Sequence, residues 1–245
     1  MADDMSTFLR YEIKYMLDDR QYAAFRRAIE PHTRADAYGK YSVCNLYYDT
    51  DTFEIIRRSM EKPVYKEKLR VRSYGIPDEQ DKVFFELKKK YQKEVSKRRV
   101  SMSLRALRDH LETGAVPDVS PQVMGEIDYF LSLYHPQPRI FIAYDRVALS
   151  GKEDRSLRIT FDRNIRFRCD DLDLSLGDHG RRILADSRHL AEIKVHGAMP
   201  LWLSGALDGQ QIYPTSFSKY GYCYEHFILP GGGAVNTASP GRKVA

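Results

Sequence analysis

The chain of 245 residues has too few cysteines for a disulfide framework. Cys44, Cys169 and Cys223 are far apart, odd in number and without CxxC spacing, so reduced, mostly buried thiols are expected. No run approaches the roughly 18 apolar residues of a membrane-spanning helix. Met1 to Ser6 carry Asp3 and Asp4 where a secretory leader needs positive charge and then an apolar stretch. These absences predict a soluble, cytoplasmic protein. A GxxxxGK[ST] phosphate loop, an HExxH helix and a GxSxG elbow are also missing, and the seven histidines are scattered without ligand spacing. P-loop, zincin and serine-hydrolase chemistries are set aside accordingly. No Pro/Gly/Ser-rich linker interrupts the middle, which predicts one domain over residues 1–230. From 231 to 245 the composition changes to GGGAVNTASPGRKVA, the mark of a disordered tail.

What the chain does have is charge in a pattern. Thirty-nine Lys+Arg against 34 Asp+Glu leave a net +5, a small excess for a bulk nucleic-acid binder. The cations must therefore act through clustering. In Lys66-Glu67-Lys68-Leu69-Arg70-Val71-Arg72 a strand would place Lys66, Lys68, Arg70 and Arg72 in one row, about 7 Å apart. No acid interrupts that row. Four aligned cations repel one another, so an elongated phosphate chain or a nucleoside triphosphate is expected against them.

Other segments alternate in the same way. Arg10, Glu12 and Lys14 alternate with Tyr11, Ile13 and Tyr15, and Glu86 and Lys88 with Phe85 and Leu87. Arg158, Thr160 and Asp162 alternate with Leu157, Ile159 and Phe161, and Glu192 and Lys194 with Ala191, Ile193 and Val195. Further strands are predicted at Val43 to Asp49, Val95 to Ser103, Ile140 to Leu149 and Asn164 to Cys169. Helical spacing links Tyr22, Phe25 and Ile29 behind an Asp18 N-cap, and Leu104, Leu107 and Leu111 before Gly114. A third helix runs from Met124 to Tyr134 and stops before Pro136, and Pro200 opens a fourth through Trp202 and Leu207.

Ordinary surfaces mix their signs, and a solvated outer face would account for any one of these strands. Repetition across many strands, with helices available to cover the apolar sides, favours another arrangement. An α+β fold is expected: an antiparallel β-barrel closed into a tunnel, apolar side chains outward under helices and charged ones inward, lining a water-filled lumen. The inward set would include Lys14, Lys68, Arg70, Arg72 and Lys88, then Lys97, Arg99, Arg146 and Arg158, with Lys194 and Lys219. Arginine forks grip phosphate oxygens and lysines add point charge. Glu12, Glu86 and Glu192 each lie two residues from a lysine and are expected to hold Mg²⁺ or Mn²⁺. Aromatics are expected on the apolar faces, away from the cations, which argues against nucleic-acid binding.

Several of these segments resemble a known family. Arg10-Tyr-Glu-Ile-Lys-Tyr15, Leu46-Tyr-Tyr-Asp-Thr50, Lys68-Leu-Arg-Val-Arg-Ser-Tyr-Gly75 and Phe85-Glu-Leu-Lys88 are similar to the VTC domain, the polyphosphate polymerase core. So are Lys97-Arg-Arg99, Tyr144-Asp-Arg146, Leu157-Arg-Ile-Thr-Phe-Asp162, Ala191-Glu-Ile-Lys194 and Ser216-Phe-Ser-Lys-Tyr220. The resemblance implies a CYTH-like triphosphate tunnel that moves the γ-phosphoryl of ATP onto inorganic polyphosphate with Mn²⁺ or a similar ion. It implies that Arg70, Arg72, Lys88, Lys97, Arg99, Arg146, Arg158 and Lys219 hold phosphates. Glu192 would be the main metal ligand, and Lys14 would lie near the reacting phosphates. Related triphosphatases and cyclases begin with ExExK; Arg10-x-Glu12-x-Lys14 replaces one acid with a cation, which favours the VTC branch. Eukaryotic relatives add an SPX domain and membrane helices, neither of which this chain carries, so a bacterial stand-alone tunnel is expected. The competing readings are a metal-dependent triphosphatase and a non-catalytic polyphosphate-binding module.

Overall fold

The alternating segments do form strands, and they join one sheet. The computed structural model describes residues 10–92 and 94–229; Met1 to Ser6 and the tail from Gly231 lie outside them. The strands are β1 (Arg10–Asp18), β2 (Thr33–Asp49), β3 (Tyr65–Tyr74), β4 (Lys82–Tyr91) and β5 (Glu94–Ser103). They continue with β6 (Gln137–Gly151), β7 (Arg158–Arg168), β8 (Arg181–Arg182), β9 (Arg188–His196) and β10 (Pro214–Thr215). The order is β10-β1-β9-β7-β6-β2-β3-β4-β5, with β8 on β7, and all pairings are antiparallel. No ladder among the described residues joins β5 back to β1 or β10, so the sheet is curled into a tunnel rather than hydrogen-bonded into a closed barrel.

Helices cover the outside, as expected: α1 (Asp19–Ile29), α3 (Leu104–Thr113), α4 (Pro121–Tyr134) and α5 (Leu201–Asp208). Asp18 caps α1 by accepting from the Gln21 N–H at 2.7 Å, while the Gln21 side chain returns to the Asp18 N–H at 3.2 Å. Gly114, at φ 73, ends α3 in the left-handed region that favours glycine. Leu69, Val71, Phe85, Leu87 and Val100 pack under Leu104, Leu107, Ile127 and Phe130. Ile159, Phe161, Ala191 and Ile193 pack under Phe25, Ile29, Leu203 and Leu207. Each large side chain fully buried this way contributes about 1.5–3 kcal/mol.

Two further features depart from the sequence reading. The expected strands ending at Asp162 and beginning at Asn164 are one strand, β7, with Asn164 at φ 50 and a pairing slip opposite Ala143 to Asp145. That extra residue swaps the faces. Arg158, Thr160 and Asp162 point inward before it, and Ile165 and Phe167 join the inner cluster after it.

The second departure is that the lumen is not wet throughout. Along β6 the inner face passes from Arg146 through Tyr144 to Ile142 and Ile140. This apolar stretch is covered by α2 (Glu54–Met60), which the sequence reading missed, and by α6 (Lys219–Cys223) with the wide helical turn after it. Ile56, Tyr220, Cys223 and Tyr224 fill that end. Buried Asp49 ties the filling together, accepting from the Ile55 and Ile56 N–H groups at 2.9 and 3.0 Å and from the Tyr220 hydroxyl at 2.8 Å. Two of these donors are the free amides of the first turn of α2, where a carboxylate is favoured.

Candidate active site

Lys66, Lys68, Arg70 and Arg72 stand in one row on the inner face of β3, as the alternation required. Neighbouring strands extend the row into rungs. Arg70 lies opposite Glu86, which lies opposite Arg99; Lys68 lies opposite Lys88, which lies opposite Lys97; Lys66 lies opposite Lys90. The rungs differ in how their charge is compensated.

Arg70 donates from Nε and Nη2 to Glu86 Oε2 at 2.9 and 2.7 Å, and from Nη1 to the Tyr47 hydroxyl at 3.0 Å. Lys97 Nζ sits 2.7 Å from Glu86 Oε1, with Arg99 at 4.0 Å from the same atom. Burial pushes the Glu86 carboxyl upward, but Arg70, Arg72 and Lys97 outweigh it and hold the group at about 2. Arg72 donates from Nε to Asn45 Oδ1 at 2.9 Å, and its Nη2 lies 3.5 Å from the Tyr144 hydroxyl. These guanidinium groups are held in place by acceptors of the protein itself.

Lys68 is different. Burial, together with Lys66, Lys14, Lys88 and Arg70, lowers its ammonium to about 7. Its near neighbour is the Ser218 hydroxyl at 3.3 Å. The influence of Lys14, on β1, shows how far the sheet has curled.

On the opposite wall Asp162 is the organiser. Arg146 grips it through Nε and Nη2 at 2.6 and 2.8 Å, and Lys219 donates to it at 2.7 Å. Burial raises the Asp162 carboxyl, but Lys219 and Arg146 overcome that and hold it well below the usual carboxylate range. Tyr144 lies among these cations; burial raises its phenol, yet Arg146, Arg72 and Lys219 bring it down to about 8. Lys14 donates to the Phe217 carbonyl at 3.0 Å, so the segment before α6 reaches the lumen through Phe217, Ser218 and Lys219. Arg158 sits at the rim, half-exposed, 3.7 Å from Asp36.

Among the described residues no group of three or more His, Cys, Asp or Glu side chains is placed to hold a metal ion. Glu12 and Glu192, on adjacent strands, share the Lys194 ammonium at 3.6 and 2.8 Å. A cation already occupies the space between their oxygens. Magnesium is commonly bound by one or two carboxylates plus substrate phosphates, and this pair fits that donor set. Glu86, expected beside them as a metal ligand, has both oxygens engaged by Arg70 and Lys97. Its geometry is that of a counter-ion.

The sequence reading left out several inner-face residues. Asp162 and Asn45 were not assigned to the site, and aromatics were expected only on apolar faces. Instead Arg70 lies 5.7 Å from the Tyr47 ring centroid, Arg99 4.7 Å from Phe84 and Arg146 5.0 Å from Tyr144. The available signal was parity: Tyr144 is two residues from Arg146, and Phe84 two from Glu86.

The VTC domain family matches residues 9–228. A candidate adenylate cyclase from Bacillus halodurans superposes with a TM-score of 0.54 at 14% identity, over 86% of this chain and 94% of that one. A Hippeastrum protein described as a candidate adenylyl cyclase with dominant triphosphatase activity gives a TM-score of 0.48 at 13% identity, over 86% and 93%. No curated protein sequence matches significantly. The Bacillus likeness shows a shared fold and no more. No helix among the described residues is long and apolar enough to cross a membrane. With the family matching from β1 through α6 and the curled, cation-lined sheet in view, this chain belongs to the VTC domain family.

Proposed function

We propose that the protein is a divalent-metal-dependent polyphosphate polymerase that transfers the γ-phosphoryl of ATP to a growing inorganic polyphosphate chain. The observation that carries this reading is Lys68, a half-buried lysine set opposite Lys88 and between Lys66 and Arg70 on the inner face of β3. Such a site is electrostatically incomplete until a polyanion enters. Beyond it the row continues through Lys66 and Lys90, so an anion longer than a triphosphate has a wall to lie against.

In the proposed reaction the terminal oxygen of the chain attacks the γ-phosphorus in line. The bond from that phosphorus to the β,γ-bridging oxygen breaks, and ADP leaves. Phosphoryl transfer asks the protein for position and charge neutralisation rather than for a covalent nucleophile. Arg70 and Arg72, held by Glu86 and Asn45, present fixed forks to non-bridging oxygens; Arg146 and Lys219, held by Asp162, do so from the facing wall. Lys14 contributes charge beside them, with Lys88, Lys97 and Arg99 from β4 and β5 and Arg158 at the rim. We assign Glu12 and Glu192 to the metal and Glu86 to fixing Arg70. Bound Mn²⁺ or Mg²⁺ supplies further neutralisation of phosphate oxygens there. We take residues 1–230 as the catalytic unit.

A triphosphatase would use the same walls with water as acceptor, and a binding module would have no use for Glu12 and Glu192. Product analysis after incubation with ATP and Mn²⁺ separates the three. Long polymer with ADP is expected. Orthophosphate as the sole phosphate product supports the triphosphatase, and polyphosphate binding without turnover under any divalent ion supports the module.

A further inference from the structure

The inner face of β3 does not end at Arg72. Two residues on, Tyr74 stands half-exposed, and Phe84 is the cross-strand partner of Arg72 on β4. Their rings meet edge to face at 5.6 Å, and Tyr41 from β2 meets Tyr74 at 5.8 Å. Beside them lies a cavity of about 300 Å³ lined by Ser73, Tyr74, Pro77, Asp81, Lys82 and Phe84. That volume is at the lower end of the range for small-molecule sites. A chance exposed tyrosine at a strand end would not need a neighbouring ring, a cavity and a phosphate-gripping fork together.

We propose that this mouth is a nucleobase site, in which the base of the donor nucleoside triphosphate lies against the Tyr74 ring while its phosphates run inward past Arg72. The inference rests on the donor being a nucleoside triphosphate, as proposed above, and assigns which end of the tunnel receives the nucleoside. Three features converge on that assignment. The aromatic surface is about 7 Å from the Arg72 position along β3, the spacing of same-face neighbours, so base and phosphate contacts fall within one nucleotide. Phe84 already carries the Arg99 guanidinium at 4.7 Å, leaving Tyr74 as the more open ring. At the other end of the row the lysines lie against α2 and the residues before α6: Lys66 donates to the Ser59 carbonyl and Lys68 to the Ser218 hydroxyl, both at 3.3 Å. Every base has a π-face, so the platform is tolerant of base identity, with purines offering the larger stacking area.

The test is calorimetric binding of ATP and of tripolyphosphate to the full-length protein, comparing wild type with Tyr74→Ala and Tyr74→Phe. Tyr74 is a half-exposed residue near a strand end, so the alanine variant is expected to fold. Tyr74→Ala should weaken ATP by about 5- to 100-fold, the range lost when a stacking aromatic is removed. Tripolyphosphate should bind unchanged, and Tyr74→Phe should retain ATP affinity. Equal weakening of both ligands, or unchanged ATP affinity in Tyr74→Ala, overturns the base site alone. Wild-type protein that binds neither ligand overturns the donor reading and this site with it.

Discussion

The inner wall of β3 and β4 has two halves built on opposite electrostatic plans. Toward Tyr74 the cations are arginines with partners: Arg70 on Glu86, Arg72 on Asn45, and Arg146 facing them on Asp162. Toward the filled end they are lysines set against lysines, Lys68 opposite Lys88 and Lys66 opposite Lys90. Burial together with Lys90, Lys62 and Lys88 pulls the Lys66 ammonium downward. Like charges directly opposite one another in a sheet are destabilising. The arginine half is a rigid grip whose charges are compensated in the resting protein. In the proposed reaction the polyphosphate chain would compensate the lysine half, which would hold the chain without fixing it in register.

The contrast is tested most severely at Arg70. Arg70→Ala should lower polymer synthesis by about 100- to 1,000-fold, the cost of losing one preorganised electrostatic donor. It should also cost up to about 3 kcal/mol of stability, because buried Glu86 loses its bidentate partner and keeps Lys97. Turnover and urea denaturation of the same preparation check both. Full polymer synthesis in this variant would remove Arg70 from the site.

Asp162→Asn should come next, at about 2–3 kcal/mol of stability, since Arg146 and Lys219 then share a buried place without a carboxylate. If a phosphate chain can stand in for the missing charge, tripolyphosphate will raise the melting temperature of this variant more than that of wild type. An equal rise in both would show that Asp162 is not exchangeable with substrate charge.

Glu192→Gln probes the acid pair on β1 and β9. Its carboxyl is pushed up by burial, but Lys194, Lys14 and Lys219 hold it at about 2, so it is ionised at neutral pH. The variant should lose Mn²⁺-stimulated turnover while binding tripolyphosphate at least as tightly as wild type in the presence of a chelator. Unchanged metal dependence would reassign the ligand.

The smallest effect is expected at Lys68, and it is a pH effect. Its ammonium is held at about 7 in the folded chain against 10.5 in the unfolded one. Between those values the unfolded state binds the extra proton, so stability rises with pH across that window. Lys68→Met should flatten this rise by on the order of 1 kcal/mol between pH 7 and pH 9.5. Polyphosphate binding to wild type above pH 7 should take up a proton at Lys68, which calorimetry in buffers of different ionisation enthalpy reads directly.

Much of this site was legible before any coordinates, and the reason is geometric. Alternation along a strand is a local property of the backbone, so the Lys66-to-Arg72 row, Glu86 with Lys88, and Glu192 with Lys194 were found from spacing two alone. The filled end was harder to see. Met16, Ile142, Ile165 and Leu190 lie on the inner face, and as apolar residues they read as ordinary core. The Asn164 bulge hid the continuity of β7, because one inserted residue inverts every assignment after it. Short α2 offers too few turns for a periodic signal, and Asp49, which fastens it, looks in the sequence like the end of a strand.

Which side chains share a face was thus written into the order of residues, since adjacent positions on a pleated chain must point opposite ways. Which charges are already answered was not. Glu86 and Asp162 act as counter-ions because residues 16 positions away lie across a ladder from them, and Lys68 meets Ser218 across 150 residues of chain. Electrostatic energy depends on distance through space and on exclusion of water. Both quantities take their values once the sheet has curled and its apolar end has been filled.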